Sequence, residues 1–431
     1  MKKIGLVSLG CSKNLIDSEM MLAMFKNGDY EYVSDPAKAD LIIINTCGFI
    51  ESAKRESIST ILEMAKYHAK LVCVGCFVER NLQELKDEIP EVDLWVPIRE
   101  YAHLHEKIDE LLSVNDIKKI DPLDRVISTP DYSAFLRISD GCNNFCAFCA
   151  IPFIRGRFKS RPYDEIIKEA KALKAKGIKE ISIISQDTTY YGRDFEGKRP
   201  NIYDLLKELD NMGFYSIRLL YLYPGEISDE LLYLIRDSHS IAHYLDIPIQ
   251  CASSNLLKLM NRHDRKPDIV NLFKKIREII PDAILRTTLI SGFPGETSKD
   301  QKETLKFIEE VEFDKLGDFT YSREEGTAAY NYKHQVREST KLKRRDEIMT
   351  LQKKISYKKN KTHIGEVMEG IVTGYDPAHK SYTIRTYWNA PDDIDGNIYF
   401  ASPKCFKNGQ IVKVRITNAF IYDLIAEYVP D

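Results

Sequence analysis

The chain has 431 residues, 43% of them hydrophobic and 29% charged, with a net charge of −3. That length is too great for one ordinary core and predicts two or three domains. The near-neutral balance supplies no general attraction to nucleic acid, and no apolar run approaches the roughly 20 residues of a membrane span. The opening Met1-Lys2-Lys3-Ile4-Gly5-Leu6-Val7 is a strand-like segment too short for a signal-peptide core. Nine cysteines without such a signal favour metal binding over disulfides. A soluble cytoplasmic protein with no membrane segment is expected.

Residues 1–120 alternate short apolar runs with helical patterns. Residues 4–9, 41–44 and 71–74 are leucine-rich or β-branched and bounded by Gly, Asn or Asp, as buried parallel strands are. Residues 17–26 and 51–67 carry helical spacing of Met, Leu, Ile and Ala. The order predicts a βαβ sandwich, with ligands gathering at the carboxyl ends of the strands. Cys11, Cys47 and Cys76 each follow one of the strands, so three thiols converge on one edge of the sheet. Gly10, Gly48 and Gly75 beside them are expected to let the backbone approach a bulky group. Cys73, inside the third strand, reads as a core thiol. A zinc site with Cys73 as fourth ligand is an alternative, but strand direction aims that thiol away from the loop edge.

Asp121-Pro122-Leu123-Asp124-Arg125 and Thr129-Pro130 punctuate a connection between domains. Over residues 128–360, strands are expected at 134–138, 181–184, 216–220, 243–248, 283–290 and 315–321, with helices between them. Six βα units predict an open, partial barrel of the TIM type, whose site lies at the carboxyl ends of the strands. The first strand runs into Ser139-Asp140-Gly141-Cys142-Asn143-Asn144-Phe145-Cys146-Ala147-Phe148-Cys149-Ala150-Ile151-Pro152. Three cysteines in one polar loop can aim their thiolates at one centre, which selects an iron–sulfur cluster or zinc. Structural zinc usually takes two separated pairs of ligands, and no second pair lies nearby. A cubane held by Cys142, Cys146 and Cys149, with one iron open to a small molecule, is the better reading.

Residues 337–361 turn to Lys, Arg and Glu at helical spacing, which predicts an exposed connecting helix. Residues 362–431 show short alternating strands at 367–372, 382–385 and 411–416 between Gly- and Asn-rich turns, as in a small β-barrel. From residue 363 onward there are six Lys and Arg against nine Asp and Glu. An RNA-binding surface rests on phosphate neutralisation, so an acidic barrel suits a basic protein partner better. Part of that charge sits in Pro391-Asp392-Asp393-Ile394-Asp395-Gly396, read either as this docking surface or as a plain solvated loop.

Cys142-x-x-x-Cys146-x-Phe148-Cys149 resembles the signature loop of the radical S-adenosylmethionine (SAM) enzymes. Val7-Ser8-Leu9-Gly10-Cys11-Ser12-Lys13-Asn14-Leu15-Ile16-Asp17-Ser18-Glu19 resembles the opening motif of the methylthiotransferases within that group. The resemblance covers the whole chain. It implies an amino-terminal methylthiotransferase domain, a radical SAM core and a carboxy-terminal TRAM domain. It also implies two 4Fe–4S clusters, one on Cys142, Cys146 and Cys149 and an auxiliary one on Cys11, Cys47 and Cys76, with two SAM molecules per turnover. The Lys13-Asn14 pair is typical of the branch that modifies a small-subunit ribosomal protein at an aspartate β-carbon. A branch acting on a tRNA adenosine is the alternative, and tRNA is the less expected partner.

In the same resemblance, the segment containing Gln186 contacts the methionyl part of SAM; Ser291 and Gly292 follow the fifth strand, where glycine permits close approach to the adenine or ribose. An electron donor such as flavodoxin is implied, with the TRAM domain as docking module. Arg155 and Arg157, just after the cluster loop, neutralise the cofactor, reach the substrate or are solvated. Where the family commonly has histidine, this chain has Cys251, read as a tolerated variant. An iron–sulfur sensor without chemistry is a reading from another class, and it leaves the barrel's cofactor-like loops without a purpose.

Overall fold

The β-branched run in the middle of the amino-terminal region decides the architecture there. In the computed structural model, which describes residues 1–26, 28–197, 199–391 and 394–430, Leu41–Thr46 is buried throughout and lies at the centre of a five-stranded sheet. Lys2–Ser8 and Lys70–Gly75 pair with it in parallel, and Tyr30–Tyr32 and Leu94–Val96 form the edges. A parallel sheet needs cover on both faces. Ile4, Leu41, Ile43 and Val72 pack with Met21, Leu104 and Ile108 on one face, while Ile42, Ile44, Leu71 and Cys73 pack with Ile61, Phe77 and Leu85 on the other. Cys73 is thus a core thiol. The expected strands lie within two residues of their observed ends. The edge strands, three residues each, are too short for a run or an alternation to register.

Six parallel strands follow: Ser133–Arg137, Glu180–Ile184, Ser216–Leu219, Ile241–Asp246, Ile284–Ser291 and Lys315–Thr320. They lie side by side in chain order. Helices Tyr163–Ala175, Ile202–Asp210, Asp229–Asp237, Lys266–Ile279 and Ser298–Val311 cover one face. The other face, at Phe135, Ile184, Leu220, Tyr244 and Ile284, packs against the carboxy-terminal barrel. That barrel closes from Val367–Asp376, Ser381–Arg385, Ile398–Ala401, Leu424–Val429 and Ile411–Ala419, in this spatial order. Ile398–Ala401 and Leu424–Val429 are additional to the three strands expected from the pattern.

The small barrel is clamped to the starts of the large barrel's strands. Arg385 pairs with Glu180. Arg218 donates to the Thr386 carbonyl at 2.8 Å, and Tyr244 donates to Asp395 at 2.5 Å. Lys315 lies 3.1 Å from the Trp388 ring centroid and donates to the Asp395 carbonyl at 3.0 Å. Asp395 is therefore buried and turned into the protein, which corrects its reading as part of an exposed acidic loop. Asp392 and Asp393 lie outside the described residues.

The connecting helix, Glu338–Thr362, is also not the exposed element expected from its charge. It buries Lys341, Arg344, Ile348, Gln352, Ile355, Ser356 and Asn360 along one stripe. Gln352 donates to the Phe313 carbonyl at 2.7 Å and Asn360 to the Phe420 carbonyl at 3.0 Å. The stripe satisfies carbonyls with polar groups, so hydropathy alone misses it. Among the described residues no helix is long and apolar enough to cross a membrane.

Candidate active site

The Cys142 loop is held by neighbouring loops and a helix end. Gly141 has a φ of +74°, and a Cβ there would lie 2.2 Å from the Arg157 carbonyl oxygen, so this turn requires glycine. Cys142 N donates to the Gly156 carbonyl at 3.2 Å and Ala147 N to that of Met260 at 2.8 Å. Asn144 bonds Asp187 through its side chain at 2.8 Å, and its backbone N–H approaches the Cys142 sulfur at 3.5 Å. Burial pushes the Cys142 thiol up to about 11 with Cys146 adding to the effect, and burial also raises Cys149 with Cys146 and Cys142 adding, so the three thiols lie close to one another. Burial also raises Cys146, opposed by the Arg262 guanidinium, which hydrogen-bonds it and stacks 4.3 Å over the Tyr223 ring.

Cys11, Cys47 and Cys76 meet in the same way at the amino-terminal sheet edge. Burial pushes Cys76 up to about 12, with Arg155 opposing and Cys11 and Cys47 contributing. Asn14 ties the loops together: its Nδ2 donates to the carbonyls of Leu9 and Thr46 at 3.0 Å each, and its Oδ1 accepts from the Cys76 thiol at 3.4 Å. The glycines do not form the open cradle expected of them. A Cβ on Gly10 would lie 2.9 Å from the Cys47 sulfur, and one on Gly75 2.4 Å from Asn45 Oδ1. They let the loops close on one another and leave the Cys47 thiol its space.

Both triads fit a cluster by donor chemistry, being free thiols approached by N–H groups, the setting in which cluster sulfurs are tuned. Among the described residues no three of His, Cys, Asp and Glu converge closely enough to ligate a single metal ion.

Arg155, left unassigned by the sequence, joins the two triads. Its Nη2 donates to Asn14 Oδ1 at 2.8 Å and Asp17 Oδ2 at 2.7 Å, and approaches the Cys76 sulfur at 3.8 Å. Its Nη1 reaches Asp140 at 3.2 Å, and Asp140 accepts from Gln186 Nε2 at 2.9 Å. Arg137 takes the other Asp17 oxygen at 2.6 Å. Burial alone would raise Asp17, but Arg155 and Arg137 together hold it below the usual carboxylate range. Neither Arg155 nor Arg262 belongs to a spacing pattern; only the fold brings them to sulfur.

Gln186, Ser291 and Gly292 all stand at the carboxyl ends of barrel strands, and Gln186 Oε1 is buried without a partner. Gly292 is less open than expected. Its N–H donates to Glu296, and a Cβ would lie 2.2 Å from Lys341 Cγ. Cys251 accepts from Ser253 N at 3.2 Å and is buried. Tyr221 and Gln250, after the third and fourth strands, hold left-handed φ values of +62° and +68°. Such strain concentrates at functional sites.

Ser291 donates to Asp318 at 2.6 Å, leaving the other Asp318 oxygen buried and unpartnered. Burial raises the Asp318 carboxyl to about 7, with Ser291 opposing, Glu296 adding and Arg345 opposing. The folded chain therefore keeps a proton that the unfolded chain releases near 3.8. Its contribution to stability is whole below that value and lost as pH rises through about 7. The cofactor-free Asp318→Asn protein should lose less stability than the parent between pH 4 and 8 in urea titrations. The difference should be at most about 4 kcal/mol.

Three family profiles match: the uncharacterized protein family UPF0004 over residues 3–97, the radical SAM superfamily over 136–308 and the TRAM domain over 364–429. The ribosomal protein uS12 methylthiotransferase RimO of Acetivibrio thermocellus is 46% identical, covering 99% of this chain and 98% of its own. That of Clostridioides difficile is 45% identical over 99% of both chains. The structure of the radical SAM methyltransferase TsrM from Kitasatospora setae, with cobalamin and a 4Fe–4S cluster bound, is similar in fold, at a TM-score of 0.54 and 14% identity. That match covers 74% of this chain and 75% of the other.

Proposed function

The chain belongs to the RimO family of radical SAM methylthiotransferases, and from that premise we propose that it places a methylthio group on the β-carbon of an aspartate in ribosomal protein uS12. The observation that carries the reading is the pair of cysteine triads joined through Arg155. Cys142, Cys146 and Cys149 hold the SAM-cleaving 4Fe–4S cluster, and Cys11, Cys47 and Cys76 hold a second. When bound, these groups and SAM supply the radical that removes an unactivated hydrogen and the sulfur and methyl that replace it.

The chain's own part is ligation and orientation. Gln186, with its free amide oxygen, orients the methionyl part of SAM, while Ser291 and Gly292 border the adenosyl part. Arg155 and Asp17 keep the two cysteine loops in one register, and the carboxy-terminal barrel closes the opposite end of the large barrel against water. The functional units are residues 1–120, 128–360 and 362–431. The protein acts in the cytoplasm with an electron donor such as flavodoxin, and its TRAM domain contributes to docking of the ribosomal protein. The names of its full-length relatives disfavour the tRNA-adenosine alternative.

Mass spectra of uS12 and of total tRNA nucleosides, from cells with and without the gene, test this. A methylthio-sized increment confined to one aspartyl peptide is expected. One confined to an adenosine would reverse the assignment.

A further inference from the structure

Lys13 breaks two local rules at once, and the residue beneath it breaks a third. It is 6% exposed, yet among the described residues its ammonium makes no hydrogen bond or ion pair; its one described contact is the Tyr221 ring, 3.1 Å from Nζ to the centroid. Buried charges are ordinarily paired, because an unpaired one forfeits its hydration. Lys13 also stands in the first turn of Ser12–Ala23, the positive end of the helix dipole, where a cation is disfavoured. Tyr221, which carries it, holds a left-handed φ of +62°. That conformation is fixed from both sides, by Tyr221 N donating to Asp246 at 3.1 Å and Thr188 N donating to the Tyr221 carbonyl at 3.0 Å. Residues that violate local preference without a structural return are expected at functional sites.

The surroundings leave the positive charge uncompensated. Asp17, one helical turn along, is occupied by Arg137 and Arg155, and Asp140 by Arg155 and Gln186. Asp246 is taken by Arg286 at 2.7 Å. The nearby carboxylates are thus already paired with other groups, and among the described residues none is bonded to the Lys13 ammonium. Lys13 follows Cys11 by two positions and Tyr221 follows the third barrel strand, so the ammonium lies between the amino-terminal triad and the barrel's carboxyl end.

We infer that Lys13, seated on Tyr221, binds the side-chain carboxylate of the substrate aspartate. The inference rests on the proposed function and adds the group that recognises the residue to be modified. The β-carbon is one bond from that carboxylate, so fixing the carboxylate fixes the hydrogen to be removed. An asparagine in its place offers a neutral amide and leaves the ammonium unpaired.

The test uses the full-length protein with its clusters reconstituted anaerobically. Substrates are purified uS12 and uS12 in which the target aspartate is replaced by asparagine. The parent enzyme is expected to prefer the aspartyl form. Lys13→Met should lower kcat/KM for that form by about 30-fold or more, mainly through KM, and should erase most of the preference over the asparaginyl form. Lys13→Arg should restore part of the preference.

Retention of the full preference by Lys13→Met overturns the inference. So does weaker SAM binding with the preference intact, which assigns the anion to the cofactor's carboxylate. An altered electron paramagnetic resonance signal of the amino-terminal cluster with the preference intact assigns the anion to sulfide and also overturns it. If the parent enzyme modifies no aspartyl uS12, the functional reading itself fails and carries this inference with it.

Discussion

Replacing Cys146 by alanine is expected to abolish SAM cleavage while about half of the iron remains bound. Each 4Fe–4S cluster is held by its own thiolates, and the two triads sit on separate sheets: Cys142, Cys146 and Cys149 after a barrel strand, Cys11, Cys47 and Cys76 on the amino-terminal sheet edge. Removing Cys146 deletes the sulfur that Arg262 hydrogen-bonds and leaves that buried guanidinium facing a methyl group. It touches none of the Asn14 bonds that organise the other triad.

Anaerobic iron and sulfide analysis should give about four of roughly eight irons, with no 5′-deoxyadenosine formed above background. Cys47→Ala should give the converse, SAM cleaved with the radical-generating cluster intact and no methylthiolated uS12. Loss of all iron from either variant would sink the assignment of two independent clusters.

Much of this arrangement is legible in the sequence, for a physical reason. A parallel strand buried on both faces must be continuously apolar, and residues 41–44 and 71–74 announce themselves by that alone. The cysteines are legible because a strand-end loop has one place to go, the carboxyl edge of its sheet. What the sequence conceals is polar and long-range. Arg155 is an ordinary loop arginine until the fold carries Asn14 and Asp17 to it across 141 and 138 residues. The buried stripe of Glu338–Thr362 is written in Gln352, Ser356 and Asn360, which hydropathy counts as exposed. Gly292 shows the same limit from the other side: its flexibility is plain in the sequence, but Lys341 and Glu296, which use it, are not.

The second large effect falls on stability. Arg125, in the connection between the first two domains, is buried at 4% side-chain exposure between two carboxylates. Its Nε donates to Glu19 on the amino-terminal helix at 3.0 Å, and its Nη1 donates to Glu169 on the first barrel helix and to the Phe135 carbonyl. Glu169 keeps a second partner in Arg161 at 2.6 Å, whereas Glu19 keeps only the Ser128 N–H and hydroxyl, at 2.8 Å each.

Arg125→Met therefore strands Glu19 as a buried carboxylate without a cation, and should cost about 3–5 kcal/mol in chemical denaturation. The cost comes from the orphaned charge and not from lost attraction, because a buried pair roughly repays its own desolvation. Adding Glu19→Gln to Arg125→Met should then recover most of the loss, since the amide keeps the Ser128 bonds without the charge. If the double variant is as unstable as the single one, the guanidinium's bond to the Phe135 carbonyl and its packing hold the domains together, and the ion pair does not.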